Sequence, residues 1–439
     1  MIRNGAMMIL VVGVTLLGLP GCGSASSEGG PLSDPPSQQN SPPAAKGSPP
    51  APPVVNAKAA PAVTPVADAP QVLSEQELAE GWIALFDGQS LFGWQAASAA
   101  NWRVENGAIV VDSGEAGLLC TTTEFSDYEL SLEFRCPAAT NSGIFLHTPL
   151  KPADPARDCY ELNIAGSDNP FPTGGLVGRA KSAVEPRADE WQTFAVALQG
   201  GHVVVKLNGQ LAVDYTDSQP LQRGHIGLQL NKGKVEFRRI RLKPLSLANL
   251  LNGKDLAGWK SYPDQPSKFT ITPEGWLNVK NGRGQLETEN SYGDFALQLE
   301  CITHAPQLNS GVFFRCIPGE FMNGYESQIH NGIKNGDRTQ PVDCGTGGVF
   351  RRVNARLVVA DDGKWFHKTL IVSGPHVATW VNGYQVTDWT DERAPHDNPR
   401  NGLRLKAGTL MLQGHDPTTD ISFRNLRIAE LAARVPPAP

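Results

Sequence analysis

The stretch Gly324-Tyr325-Glu326-Ser327-Gln328-Ile329-His330 separates its polar and apolar residues with a period of two. In an extended strand successive side chains point to opposite faces, so Glu326, Gln328 and His330 share one face and Tyr325, Ser327 and Ile329 the other. Alone, such a row reads as the solvated outer face of an ordinary antiparallel strand. An earlier copy gives it more weight: Tyr160-Glu161-Leu162-Asn163-Ile164 repeats the tyrosine, the glutamate, the amide and the isoleucine in the same order.

The repetition extends outward from these strands. Leu85-Phe86-Asp87-Gly88 with Gly93-Trp94 returns as Leu251-Asn252-Gly253 with Gly258-Trp259, and Asn141-Ser142-Gly143-Ile144-Phe145 returns as Asn309-Ser310-Gly311-Val312-Phe313. Gly174-Gly175 matches Gly347-Gly348, Leu207-Asn208-Gly209 matches Val381-Asn382-Gly383, and Val235-Glu236-Phe237-Arg238 matches Ile421-Ser422-Phe423-Arg424. Self-similarity at this distance indicates a duplicated domain, because a solenoid repeat would be several-fold shorter. The copies span residues 80–244 and 247–431.

Within each copy the strands are short and alternate, as in Tyr128-Glu129-Leu130-Ser131-Leu132-Glu133-Phe134-Arg135. Asn208-Gly209 and Asn382-Gly383 are hairpin signals, since both central positions of the favoured turn need φ > 0. No long amphipathic helix is evident; a short one is expected over residues 74–80, where Ser74-Glu75-Gln76-Glu77 has capping-box spacing. The pattern predicts an all-β chain built of two tandem β-sandwiches. Trp94 and Trp259 read as core anchors.

The 439 residues suffice for two or three domains, and 40% are hydrophobic. The net charge is −6, and no basic run or stripe is present, which argues against nucleic acid and anionic membrane surfaces as partners. Residues 1–21 read as a signal peptide with Arg3 at its start, ending in Leu19-Pro20-Gly21-Cys22. That ending resembles a bacterial lipobox, although Pro20 departs from the usual small residue, and it implies lipidation at Cys22. Residues 22–75, rich in proline, alanine and serine, read as a disordered tether. The expectation is an exported protein held by its lipid to the cell envelope, at the outer membrane or the periplasmic face. The six further cysteines, Cys120, Cys136, Cys159, Cys301, Cys316 and Cys344, do not recur at matching places or at Cys-x-x-Cys spacing, so buried free thiols are expected.

Taken in order, these motifs resemble the bacterial 3-keto-disaccharide hydrolase family, also described as 3-keto-glucoside 1,2-lyase and 3-keto-2-hydroxyglucal hydratase. The resemblance covers both copies. It implies a concanavalin-like jelly roll in each and a carbohydrate ligand, a 3-keto-glycoside. A ketone at C3 acidifies the C2 proton, so a base can remove it and the C1 substituent departs by β-elimination, after which water can add back. Such a site needs a general base, a positive or hydrogen-bonding group near the enolate oxygen, and a proton for the leaving oxygen.

In the second copy the expected catalytic residues are Glu326 or His330 as base, Arg315 beside the enolate, and His415 from a glutamine and histidine motif. Gln328, Gln413 and Arg351 are expected to hold the substrate. His415 has an alternative role in capping a turn with Asp416, and Arg315 in pairing with a neighbouring acid. No cofactor is required; a divalent metal on His330, His415 and a carboxylate would help polarise the ketone, but no tight ligand motif marks it. The first copy has Asn163 and Ala165 where the second has Gln328 and His330, and His147 in place of Arg315. Glu161, Asn163 and His147 are therefore expected to bind substrate, in a copy with a binding or structural role. The rival reading of the whole chain is a non-catalytic carbohydrate-binding lipoprotein.

Overall fold

Asn208 and Asn382 adopt φ of 52° and 45°, followed by Gly209 and Gly383 at 80° and 73°, and each pair closes a two-residue hairpin. Such turns, with the alternating strands between them, build two β-sandwiches in a computed structural model that describes residues 69–433. The leader of residues 1–21, Cys22 and most of the tether of residues 22–75 lie outside the described residues. The expected short helix runs over Glu75–Glu80 with the full capping box on Ser74 and Glu77.

Each sandwich packs an eight-stranded antiparallel sheet on a five-stranded one. In the second, the five-stranded sheet runs Trp259–Lys260, Gly284–Tyr292, Gly408–Gly414, Ser310–Cys316, Tyr325–Ile329, and the first repeats this order with Trp94–Ala96, Gly117–Thr121, His225–Leu230, Ser142–Thr148 and Tyr160–Ile164. Alternation puts one side of every strand into a shared core: Leu286, Leu410, Leu412, Val312, Phe314, Tyr325 and Ile329 all join one buried cluster. Trp94 and Trp259 are buried core anchors whose indole N–H groups donate to Leu85 O and Leu250 O, at 2.6 and 2.8 Å. The six cysteines among the described residues, from Cys120 to Cys344, are buried and free.

The two sandwiches share apolar surface. Ala296, Ile371, Ala378 and Trp380 of the second belong to the core cluster of the first. Polar links flank this seam, including Trp380 Nε1 donating to Ala84 O at 2.9 Å and Arg356 paired with Asp87 at 2.9 Å. No helix among the described residues is long and apolar enough to cross a membrane.

Candidate active site

The alternation that sends Leu412, Val312 and Tyr325 inward sends Gln413, Phe313 and Glu326 to the other face of the same sheet. Phe313 pairs with Glu326 on one side and with Met411 on the other, and Met411 in turn lies beside Glu287. After the strand Tyr325–Ile329 the chain turns at Gly347 and runs back along it, with Gln328 N donating to Gly348 O and Phe350 N to Glu326 O, both at 2.9 Å. That return places Phe350, Arg351 and Arg352 next to Glu326. Together with Arg283, Arg400 and Gln413 they line a cleft of about 280 Å³.

Glu326 is the chemically distinctive group in it. Burial, and then repulsion from Asp343, push its carboxyl up to about 8, against the pull of Lys368, Arg400 and Arg351. A carboxyl in that range is matched to proton transfer near neutral pH. Lys368 itself is buried within the sandwich, donates to Ser327 O and Gln328 O at 2.8 and 2.9 Å, and is lowered by desolvation to about 8. Phe194 stands at the matching place in the first sandwich, since Asn208 N binds Thr193 O just as Asn382 N binds His367 O.

Arg315 is not in the cleft. The expected alternation fails there because a bulge separates Phe313 from Cys316 in the pairing, and Arg315 adopts a left-handed φ of 48°. Its guanidinium is buried and donates to Gly293 O, Arg404 O and the Asp294 carboxylate, at 3.1, 3.0 and 2.7 Å. The group is consumed by structure and cannot reach an enolate on the other face. Arg351, expected from sequence to hold the substrate, does line the cleft, and Arg400 lines it too.

His330 lies four residues along the strand from Glu326, about 13 Å at strand rise, beyond the cleft lining. Its Nδ1 accepts from Gly332 N–H at 3.1 Å, which in the neutral ring leaves the hydrogen on Nε2. Burial lowers its pKa, against the pull of Asp343 and Asp362, and His415 adds a like-charge neighbour. The imidazole is thereby arranged to donate a hydrogen bond, not to abstract a proton. His415 caps its turn, with Nδ1 at 2.8 Å from the Asp416 carboxylate. Among the described residues no three His, Cys, Asp or Glu side chains converge as a metal site, so the expected set of His330, His415 and a carboxylate does not fit a divalent ion.

The two expected glutamines differ. Gln328 is held through its Nε2, donating to Asn309 Oδ1 and Asp343 Oδ2 at 3.1 and 3.0 Å, while its Oε1 has no partner. Gln413 lines the cleft with Oε1 unpartnered and Nε2 against only the Met322 sulfur at 3.4 Å.

In the first sandwich the expected binding residues are otherwise engaged. His147 occupies the equivalent bulge, φ 50°, buried with its ring nitrogens 2.9 and 2.8 Å from Leu221 O and Ser126 O. Burial holds its pKa below the usual value. In this arrangement it ties the core edge to the Leu221 and Ser126 carbonyls. Asn163 donates to Phe171 O and Asn169 Oδ1, pinning a loop. Only Glu161 keeps the character of its counterpart, raised by burial and touched by Gln229 at 3.4 Å.

Sequence reasoning missed Arg283, Arg352 and Arg400, which stand in loops without periodicity, and also Gln285 and Glu287. The latter two had a signal in the alternation Gln285-Leu286-Glu287. Leu286 pairs with Leu412 as Leu119 pairs with Leu228, so Gln285 and Glu287 correspond to Leu118 and Cys120. The first sandwich thus carries an apolar cluster of Leu118, Cys120, Phe145 and Cys159 on the face where the second sets Gln285 and Glu287 beside its own apolar group of Phe313, Cys316, Met322 and Met411. Glu287 is fully buried and accepts from Tyr262, from Thr409 at 2.7 Å and from Gly319 N at 3.2 Å.

The family model described as a 3-keto-alpha-glucoside-1,2-lyase-like domain matches residues 81–243 and again 247–429. A 3-keto-disaccharide hydrolase of Bacteroides thetaiotaomicron is 30% identical over 79 residues, which cover 15% of this chain and 27% of that protein. The match therefore spans about a quarter of that relative's length. Among solved structures, a candidate glycosyl hydrolase from Parabacteroides distasonis aligns at 21% identity and a TM-score of 0.36, over 40% of this chain and 99% of that one. A carbohydrate-binding module from Bacillus subtilis aligns at 14% identity and a TM-score of 0.29, over 34% and 95%.

Proposed function

Because the chain belongs to the 3-keto-alpha-glucoside-1,2-lyase-like family through both of its sandwiches, we propose that the second sandwich cleaves 3-keto-glycosides at the Glu326 cleft. In this reading the Glu326 carboxylate takes the C2 proton. The electron pair moves onto the C3 ketone oxygen as an enolate, held by Arg351 and Arg400 at the cleft wall. Collapse of the enolate expels the C1 oxygen, which takes its proton from the carboxylic acid just formed at Glu326. The products are an unsaturated 2-hydroxy-3-keto sugar and the released alcohol, and addition of water across the new double bond completes a net hydrolysis. Gln413 accepts from a sugar hydroxyl at its unpartnered Oε1.

The observation that carries this reading is a single buried carboxyl, raised to about 8, in a cleft whose other charged walls are guanidinium groups. An ordinary glycosidase needs two carboxylates flanking the bond; here elimination needs one base and a cation. The first sandwich, with Leu118 and Cys120 in place of Gln285 and Glu287, serves a binding or structural role. Export and a lipid anchor at Cys22 complete the proposal and rest on the leader sequence alone.

The test uses the intact chain, since the sandwiches share a core. On chromogenic 3-keto-glucosides of both anomers, Glu326→Gln should abolish turnover, a loss of at least about a hundredfold for a general base, whereas Glu161→Gln should leave it within a factor of about two. Turnover that survives Glu326→Gln, or an intact protein that turns over no keto substrate, removes the catalytic reading.

A further inference from the structure

The charge around the cleft exceeds what elimination requires. Arg283, Arg351, Arg352 and Arg400 all line it, and among the described residues none of the four has a carboxylate ion-pair partner. Most arginines elsewhere on this sandwich are paired, as Arg424 is with Glu300 at 2.7 Å and Arg393 with Asp391 at 2.8 Å, while Arg404 is spent on the carbonyls of Arg315 and Asp397. The arginines of the cleft are instead tied to carbonyls or rings. Arg352 donates to Arg400 O, Arg400 to Met322 O, and Arg283 lies over the exposed Phe321 ring at 5.2 Å. These contacts hold the guanidinium groups in place without an ion pair, with Asp391 acting on Arg352 only from a distance, in a protein whose net charge is −6.

A solvated basic rim is the plain alternative, since Arg283, Arg351 and Arg400 are exposed. Two features argue for a ligand. The sole carboxyl lining the cleft, Glu326, is mostly protonated at neutral pH and so offsets little of that charge. Gln413 is 6% exposed, lines the same cleft, and has an amide oxygen without a partner, which is costly unless something polar satisfies it. Two guanidinium groups suffice for an enolate, leaving Arg283 and Arg352 for a permanent negative charge on the substrate.

We propose that the cleft selects an anionic glycoside, one carrying a carboxylate or a sulfate ester within reach of Arg283 and Arg352. This rests on the cleft being a glycoside site, and the test separates the two ideas. Binding of 4-nitrophenyl glucoside, its 6-sulfate and 4-nitrophenyl glucuronide, in both anomers, is measured by calorimetry on the whole chain. At low ionic strength the anionic sugars should bind roughly tenfold more tightly than the neutral one, an advantage that shrinks as salt is added. Arg283→Gln with Arg352→Gln should erase it, and Arg283→Lys should retain most of it. The sulfate and glucuronide arms tell which anion is preferred, and preference for either supports the inference.

Equal affinity for neutral and anionic sugars overturns it, as does an advantage that survives both glutamine substitutions. Turnover of a 3-keto-glucoside without anion preference would defeat this inference and leave the elimination reading standing. Anion preference without turnover of any keto substrate would do the reverse.

Discussion

Glu326 lies directly over Gly311 on the neighbouring strand, so closely that a Cβ at position 311 would come within 2.5 Å of Glu326 Oε1 and 2.8 Å of its Cγ. The glycine makes room for the carboxyl to lie flat against the sheet, inside the cleft. Gly311→Ala should leave the fold intact, because the obstructing atoms belong to a side chain that can swing away, and should move the carboxyl out of position. Misplacement of a catalytic group by about an ångström can cost on the order of a hundredfold, so kcat/KM is expected to fall between tenfold and a hundredfold with Tm little changed. The matching Gly143→Ala, whose nearest obstacle is Leu162 O at 3.1 Å, should leave turnover unaffected. An unchanged kcat/KM in Gly311→Ala would remove Glu326 from the chemistry.

The raised carboxyl also makes stability depend on pH. In the unfolded chain Glu326 titrates near 4.5, and in the fold near 8, mainly because burial disfavours the charge. Between those values the folded protein holds a proton that the unfolded chain releases. The stability from this group is thus fully present below about pH 4.5 and is lost as pH rises through 8. Glu326→Gln removes the titration. The variant should match the parent near pH 4.5 and exceed it at pH 8, by up to roughly 4 kcal/mol, in urea denaturation at the two pH values. In the parent, kcat/KM should climb with pH and level off above about 8, as the base ionises. A variant less stable than the parent at pH 8 would contradict the buried carboxyl.

How much of this was legible in the sequence follows from which side chains obey the strand period. Glu326 was readable because its strand alternates without interruption, so an inward Tyr325 guarantees an outward neighbour, whereas Gln413 was reached through the glutamine and histidine motif of the family resemblance. The same logic failed at Arg315 and His147, where one left-handed residue inserts a bulge and turns the side chain off its face; nothing in Phe314-Arg315-Cys316 signals it. Arg400 was invisible because its place depends on a loop meeting the cleft from far along the chain. The duplication and the hairpins were legible because Asn-Gly pairs and repeated motifs are local. The loss of Gln285 and Glu287 from the first sandwich shows only once Leu118 and Cys120 are registered against them.

Arg315 offers a direct check on that correction. Its guanidinium binds Asp294, which also receives Arg223 of the first sandwich at 2.8 Å, so it ties the edge of the cleft sheet to the seam between the sandwiches. Removing one partner of a buried pair costs roughly 3 to 5 kcal/mol, and Arg223 should keep Asp294 partly compensated. Arg315→Met is expected to lower stability by about 3 kcal/mol, while KM and the pH profile of the folded fraction stay as in the parent. A large rise in KM with stability preserved would return Arg315 to the substrate.

The seam itself predicts how the molecule unfolds. Trp380, 1% exposed, sits in the core cluster of the first sandwich and donates its indole N–H to Ala84 O. Opening either sandwich alone would expose that ring and strand a buried carbonyl, so the apolar and polar terms both couple the two halves. Chemical denaturation should therefore show one transition by near-UV signal and by backbone signal together. Trp380→Ala should cost roughly 3 to 5 kcal/mol, and because the loss falls on the seam it should separate the melting of the two sandwiches into two steps. Trp380→Phe, which keeps most of the ring and loses only the donor, should cost about 1 to 3 kcal/mol and preserve the single step. Two resolved transitions in the parent protein would mean that the sandwiches fold independently and that the shared cluster carries no coupling.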